Sequence, residues 1–371
     1  MTLEYRSYAL RAAACAALLL LSGAGAPVSA QTEPSAEVVR VDRLAQNVER
    51  AESVRHVKRL QEAYAQYSQF GLWSEMAALF AEDAELVRGA QRVTGRSAIE
   101  AYFLETFGGG MHGLPPGGLH TQLVFRPLIN VSADGSSAKG RWWEWSMTGR
   151  FGGDAAWAGG IYENDYVRED GVWKFARVHY HPMLAGPYET GWRNVDEDQK
   201  VVPYHFTTDE TGIPVPDLPA SAPVLDAVSD PVVRLAGLEQ RVTVMNDEDH
   251  IRNLQNAYGY YIDRKMWDDV TDLFTADGVL EIADVGVYDG PQGIRRALER
   301  HGPAGLAHGE LNDHMQLDMI VSIEPGGRED VPPGLEPPRP PHWMPCTTLA
   351  SIFRHTWTLT GRSDPAARFS A

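Results

Sequence analysis

A chain of 371 residues with 33 basic and 50 acidic side chains carries a formal charge of −17. That balance argues against a nucleic-acid surface, which needs clustered Lys and Arg. Two cysteines, Cys15 and Cys346, exclude a disulfide framework and a cysteine-based zinc site, while 43% hydrophobic residues supply material for packed cores, in two domains more readily than one.

Residues 1–30 read as a signal peptide. Arg6 and Arg11 precede an apolar run from Ala12 to Leu21, and Val28-Ser29-Ala30 places small residues before a cleavage point at Gln31. The run is too short to cross a bilayer, which takes about 20 apolar residues. The expectation is a periplasmic or secreted protein with no membrane span in its mature chain.

From residue 38 to 185 the pattern is that of one α+β domain. Val54, Val57, Leu60, Tyr64 and Tyr67 fall on one face of a helix predicted from Ser53 to Gln69, and Gly71 breaks it. A second helix is predicted over Leu72–Phe80, then a short strand over Glu85–Val87. Ser97 and Glu100 have capping-box spacing for a third helix. Strands follow at Leu119–Val131, Ala138–Arg150, Trp157–Arg168 and Val172–His181, joined by Gly- and Asp-bearing turns. Three helices and then a meander predict helices packed on a curved antiparallel sheet. Residues 186–231 read as a proline-rich linker.

The chain then repeats itself at an offset of 194. Val38-Val39-Arg40 returns as Val232-Val233-Arg234, Leu60-Gln61 as Leu254-Gln255, Tyr64 as Tyr258, Tyr67 as Tyr261, Trp73 as Trp267 and Leu79-Phe80 as Leu273-Phe274. His120-Thr-Gln122-Leu123 returns as His314-Met-Gln316-Leu317. The chain is therefore read as two tandem cone-shaped domains, with the second, 232–327, incomplete at its C-terminus. Where a strand should match Ala138–Arg150, residues 325–345 hold eight prolines, which central strands exclude. Residues 328–371 are read as an aberrant, disordered tail, either a divergent end or the product of a frame change near 327.

Tyr64-x-x-Tyr67, Trp73, Leu79-Phe80-Ala-Glu-Asp83, Gly95-Arg96-Ser97-Ala98-Ile99, His120-Thr-Gln122, Tyr162-Glu163-Asn164-Asp165-Tyr166 and Asp170-Gly171-Val172-Trp173 together resemble the SnoaL-like branch of the nuclear transport factor 2-like superfamily. That superfamily includes scytalone dehydratase, ketosteroid isomerase and polyketide cyclases. The resemblance implies a cone with a mostly apolar pocket, no cofactor, and a small-molecule ligand or substrate. It also implies pairing of cones through their sheets, so that the two copies form a pseudo-dimer or the chain a homo-oligomer.

Proton transfer in such a pocket needs a base and a donor that stabilises developing negative charge. His120 resembles the strand histidine of the dehydratase pattern and is the candidate base. Tyr64 and Tyr67 are candidate donors and Glu144 a further catalytic candidate. Trp143, Trp145, Glu163, Asn164 and His179 are candidate substrate contacts. The counterparts in the second copy are Tyr258, Tyr261, Asp263 and His314; copy one has Gln69 where Asp263 stands. Alternation sends Trp143 and Trp145 to one sheet face and Trp142 and Glu144 to the other. His179 and His181 share a face, but no third ligand accompanies them, so no metal is expected. Arg88 stands where the steroid-isomerase pattern places its aspartate, which disfavours that chemistry. The reading is a cofactor-free lyase or isomerase of the dehydratase or cyclase type, acting on a small apolar or aromatic carbonyl compound in domain 1. The alternative is a non-catalytic ligand-binding or scaffold protein.

Overall fold

The computed structural model describes residues 36–196, 201–206, 230–282 and 285–323. The signal-peptide segment, most of the linker and the tail beyond 323 lie outside them, as do the proline-rich stretch and the proposed frame change.

Copy one opens with α1 (Ala36–Phe70), followed by α2 (Trp73–Ala78), β1 (Phe80–Arg88), β2 (Gln91–Thr94) and α3 (Arg96–Thr106). Four long strands follow, β3 (Gly118–Val131), β4 (Ser137–Arg150), β5 (Ala155–Glu169) and β6 (Val172–Pro187), and β7 (Arg193–Asn194) pairs with β6. The sheet order is β2-β1-β6-β5-β4-β3. It is antiparallel except at β1–β6, which run parallel, a departure from the all-antiparallel expectation. The parallel pair arises because β1 enters the sheet beside the last long strand, after the helices and not after a hairpin. The β5–β6 turn places Asp170 and Gly171 at φ 49° and 81°, the left-handed pair that a two-residue hairpin requires.

The helices cover one face of this sheet. Tyr64, Trp73, Phe80, Ile99, Phe103, Trp142, Tyr162, Tyr166 and Phe175 are buried in the core between them. Gly71 ends α1 at φ 68°, and a Cβ there would lie 2.6 Å from the backbone carbon of Gly113, so only glycine permits this close approach.

Several boundaries differ from the sequence expectation. β1 begins at Phe80 and not Glu85, so Asp83 is an exposed strand residue and not a helix-end turn. The capping box does not form: Gly95, at φ 91°, precedes α3, and Glu100 accepts a hydrogen bond from Ser74 Oγ at 2.5 Å instead. α3 begins at Arg96, so Ser97 lies within its first turn and not in the capping position.

Copy two repeats the helices as α4 (Pro231–Asp263), α5 (Trp267–Asp272) and α6 (Gly290–Glu299), with a hairpin of β8 (Val279–Ile282) and β9 (Gly286–Asp289). Asp230 caps α4 through Val232 N–H at 2.9 Å. Residues 311–323, the counterpart of β3, form no strand, and among the described residues copy two has no long strands.

The two copies meet along their first helices, and Asp318 of copy two also lies against the edge of β3 at Val124. α1 starts 17 residues before the predicted Ser53 because its early turns pack on α4, through Val41, Val48, Leu238 and Met245. Ion pairs flank this seam. Arg55 meets Asp249, its own counterpart in the repeat, at 2.6 Å; Arg59 meets Glu248 at 2.7 Å; Arg241 binds Glu49 at 2.8 Å and also Glu52; and Arg234 meets Asp42 at 2.5 Å. Residues of equal rank lie side by side, so α1 and α4 run parallel as a two-helix seam.

Candidate functional site

Strand register sorts the candidates onto two faces. On β3, His120, Gln122 and Val124 alternate inward, opposite Thr148, Ser146 and Glu144 of β4. Glu144 and Trp142 in turn face Gly160 and Tyr162 of β5, and Tyr162 faces Tyr180 of β6. Arg88 of β1 lies in register with Tyr180. The wall beneath the helices is therefore His120, Gln122, Glu144, Tyr162, Tyr180 and Arg88, roofed by Tyr64 and Ser68 of α1.

Trp143, Trp145, Glu163 and His179 stand on the opposite face of the sheet, away from this wall, and are not assembled with His120. Trp145 packs edge-on against Trp157, ring centroids 5.4 Å apart. Glu163 pairs with Arg141 and with His205 Nδ1 at 2.8 Å, pinning the linker segment 201–206 to the sheet. His179 stacks on His181 at 3.8 Å between centroids; burial first, then the neighbouring His181 and Arg177, hold its pKa down to about 4. The two-residue period of a strand makes this split unavoidable.

Asn164 does face inward, but a core hydrogen-bond network engages its amide. Its Nδ2 donates to Gln61 Oε1 at 2.8 Å, its Oδ1 accepts the His179 backbone N–H at 3.1 Å, and Tyr166 Oη donates to the same Gln61 oxygen at 3.1 Å while accepting Trp142 Nε1 at 3.0 Å. That is the signature of a hydrogen-bonded core, not of a ligand contact. Tyr67 is half-buried at the margin of the core.

His120 lies against Trp73 and Phe107, centroids 6.0 and 6.1 Å away, with Nε2 3.5 Å from Ser68 Oγ. Burial, and then the Arg88 charge, push its pKa down to about 4, so the ring is neutral at neutral pH. Glu144 is buried, and loss of hydration raises its pKa despite the opposing pull of Arg88 and hydrogen bonding by Tyr162. The Arg88 guanidinium sits 4.3 Å from the centre of the Tyr180 ring and 5.4 Å from that of Phe107. Burial opposes its charge, but Tyr162, Tyr64, Glu144 and Tyr180 favour it and hold its pKa above the ordinary arginine range. Arg88 and His120 are closely surrounded by protein, yet both keep accessible surface.

Three polar atoms of this wall are buried without a hydrogen-bond partner: Tyr64 Oη, Gln122 Oε1 and Glu144 Oε2. Gln122 Nε2 is satisfied by Tyr162 Oη at 2.8 Å. A cleft of about 470 Å³ opens at the Thr148–Ala156 end of β4 and β5, beside the cross-strand partner of His120.

Copy two assembles a different pair. Asp263 Oδ1 accepts the His314 backbone N–H at 2.6 Å and lies 3.1 Å from His314 Nδ1. Tyr258 is buried, which pushes its phenol up to about 12, and Tyr261 packs half-buried beside it. Copy one cannot form this pair, because Gln69 replaces the aspartate. A cleft of about 480 Å³ lies nearby, lined by Ile282, Val285, Arg300 and His301.

The SnoaL-like domain profile matches residues 49–179 and again 243–331, together more than half of the chain. The chain belongs to the SnoaL-like family. Solved structures similar to this SnoaL-like chain include a candidate scytalone dehydratase from Novosphingobium aromaticivorans, at 22% identity over 38% of this chain and 90% of that one, TM-score 0.33. A hexachlorocyclohexane dehydrochlorinase is 17% identical over 45% of this chain and 99% of its own, TM-score 0.33. A Catenulispora acidiphila protein in complex with S-DNPA is 18% identical over 36% of this chain and 94% of its own, TM-score 0.31. Identities this low carry no activity across, and no curated protein matches. No described helix of the SnoaL-like chain is long and apolar enough to cross a membrane.

Sequence reading missed Arg88, Tyr162, Tyr180 and Ser68. The signal for Arg88 was present: a charge ending the run Leu86-Val87-Arg88, on the strand face that Leu86 buries. It was read as the absence of an aspartate when it is the presence of an interior cation.

Proposed function

We propose that the chain is an exported, cofactor-free lyase or isomerase that moves a proton on a small aromatic or apolar carbonyl compound in the hollow of copy one. The observation that carries this is a pair of titratable groups on one wall, driven in opposite directions by their surroundings. His120 is held neutral and can accept a proton, while burial pushes the Glu144 pKa up, toward the form that donates one; such a divergence assigns base and acid. The buried Tyr64 hydroxyl, lacking a partner, is placed to polarise a carbonyl oxygen.

The test is a mass-spectrometric screen of aromatic carbonyl compounds against the chain beginning at Gln31. His120→Ala and Glu144→Gln are each expected to lose roughly 10²–10⁴ in turnover while still retaining ligand. Conversion that persists in His120→Ala removes the imidazole from the mechanism. Export is checked separately, by N-terminal sequencing of the protein recovered outside the cytoplasm.

One observation favours a second reading, ligand binding without chemistry. The polar neighbour of His120 is the Ser68 hydroxyl and not a carboxylate, so nothing stabilises an imidazolium once formed. Under that reading the screen retains compounds unchanged.

A further inference from the structure

We infer that the ligand of the copy-one hollow is an organic anion, a flat aromatic carboxylate, with its charged group seated on Arg88. This inference rests on the hollow being the ligand site and names what it takes. An arginine side chain stays charged in any protein environment, so burying it calls for a counter-charge. Elsewhere several partly buried arginines meet that demand: Arg59 with Glu248, Arg141 with Glu163, Arg168 with Glu49, Arg177 with Glu85, Arg234 with Asp42. Arg88 is closely surrounded by protein, and among the described residues no carboxylate lies within ion-pairing distance of it.

The groups facing Arg88 are the phenols of Tyr64, Tyr162 and Tyr180, the Phe107 ring, His120 and the Glu144 carboxyl. His120 is neutral, burial disfavours ionisation of Glu144, and no described carboxylate oxygen comes within ion-pairing distance of the Arg88 guanidinium. A guanidinium resting on aromatic faces keeps its planar fork of N–H groups for a planar, bidentate acceptor, which a carboxylate supplies. Tyr64 Oη adds a donor that is buried and unpartnered. Phe107 and Tyr180, with Trp73 beside His120, offer ring faces to a flat aromatic body.

The experiment titrates benzoate and its neutral isostere benzamide into the chain from Gln31, followed by ligand-observed NMR and by thermal melting. Benzoate is expected to bind at least ten-fold more tightly and to raise Tm in proportion. Arg88→Met, close in volume but uncharged, is expected to abolish the preference and, without ligand, to melt no lower than the parent. Arg88→Lys keeps part of the preference, and circular dichroism reports whether either variant is folded. Equal affinity for benzoate and benzamide in the parent chain overturns the inference, and this comparison needs no variant. A benzoate preference that survives Arg88→Met overturns it too. The two readings fail separately. Unchanged turnover in His120→Ala with the benzoate preference intact removes the proton-transfer mechanism alone. Loss of the preference with turnover of neutral carbonyl compounds removes the anion alone.

Discussion

Replacing Asp318 by Asn tests how the broken strand of copy two is held. Asp318 is the counterpart of Val124 and lies against it: its Oδ1 accepts the Val124 N–H at 3.1 Å at the free edge of β3, and Gln66 Nε2 donates to its backbone carbonyl at 2.8 Å. Arg59 and Arg252 hold the same segment through the carbonyls of Val321 and Met319. Asp318 Oδ2 and Glu62 Oε2 are both buried without a partner. Burial raises the Asp318 pKa from 3.8 to about 7; the Val124 N–H pulls it down and the nearby Glu62 pushes it up. Burial also raises Glu62 from 4.5 to about 7, against the pull of Arg252, Lys58 and Arg59. The folded chain thus binds these protons more tightly than the unfolded one. Stability is greatest below the unfolded values and is lost as pH rises from about 4 through about 7. A shift of about three units at ~1.4 kcal/mol each bounds the penalty for Asp318 at ~4 kcal/mol. Asn keeps the acceptor for Val124 and cannot ionise. Urea denaturation of Asp318→Asn should therefore give a gain of about 2–3 kcal/mol at pH 8 and under about 0.5 kcal/mol at pH 4. A difference that does not vary with pH, or a variant less stable at pH 8, refutes the reasoning.

Three further outcomes are expected. Tyr166→Phe strands Trp142 Nε1 and removes a donor from Gln61, and should cost about 1–3 kcal/mol in chemical denaturation without altering the far-ultraviolet spectrum. Gly71→Ala forces a Cβ onto a left-handed turn and into the Gly113 backbone, and should lower stability by about 2–4 kcal/mol. Arg241→Met breaks a partly exposed pair with Glu49 and Glu52 across the helix seam; it should cost no more than about 1 kcal/mol, and the cost should shrink in 1 M salt, as salt-series denaturation will report.

The sequence alone determined the duplication and the succession of three helices and four long strands in copy one. Each follows from a local period, 3.6 in helices and 2 in strands, or from direct self-comparison. It also placed Trp143 and Trp145 together on the face away from Glu144, although only the coordinates showed which face the helices cover. Tertiary structure decided what no local period encodes. Val41 and Val48 became a buried seam because α4 lies alongside them, and Asp263 found His314, 51 positions further along the chain. The loneliness of Arg88 is a fact about which carboxylates fail to reach it, and that depends on how β1 enters the sheet between β2 and β6. Periodicity tells a side chain which way to point; only the packed fold supplies, or withholds, what it meets there.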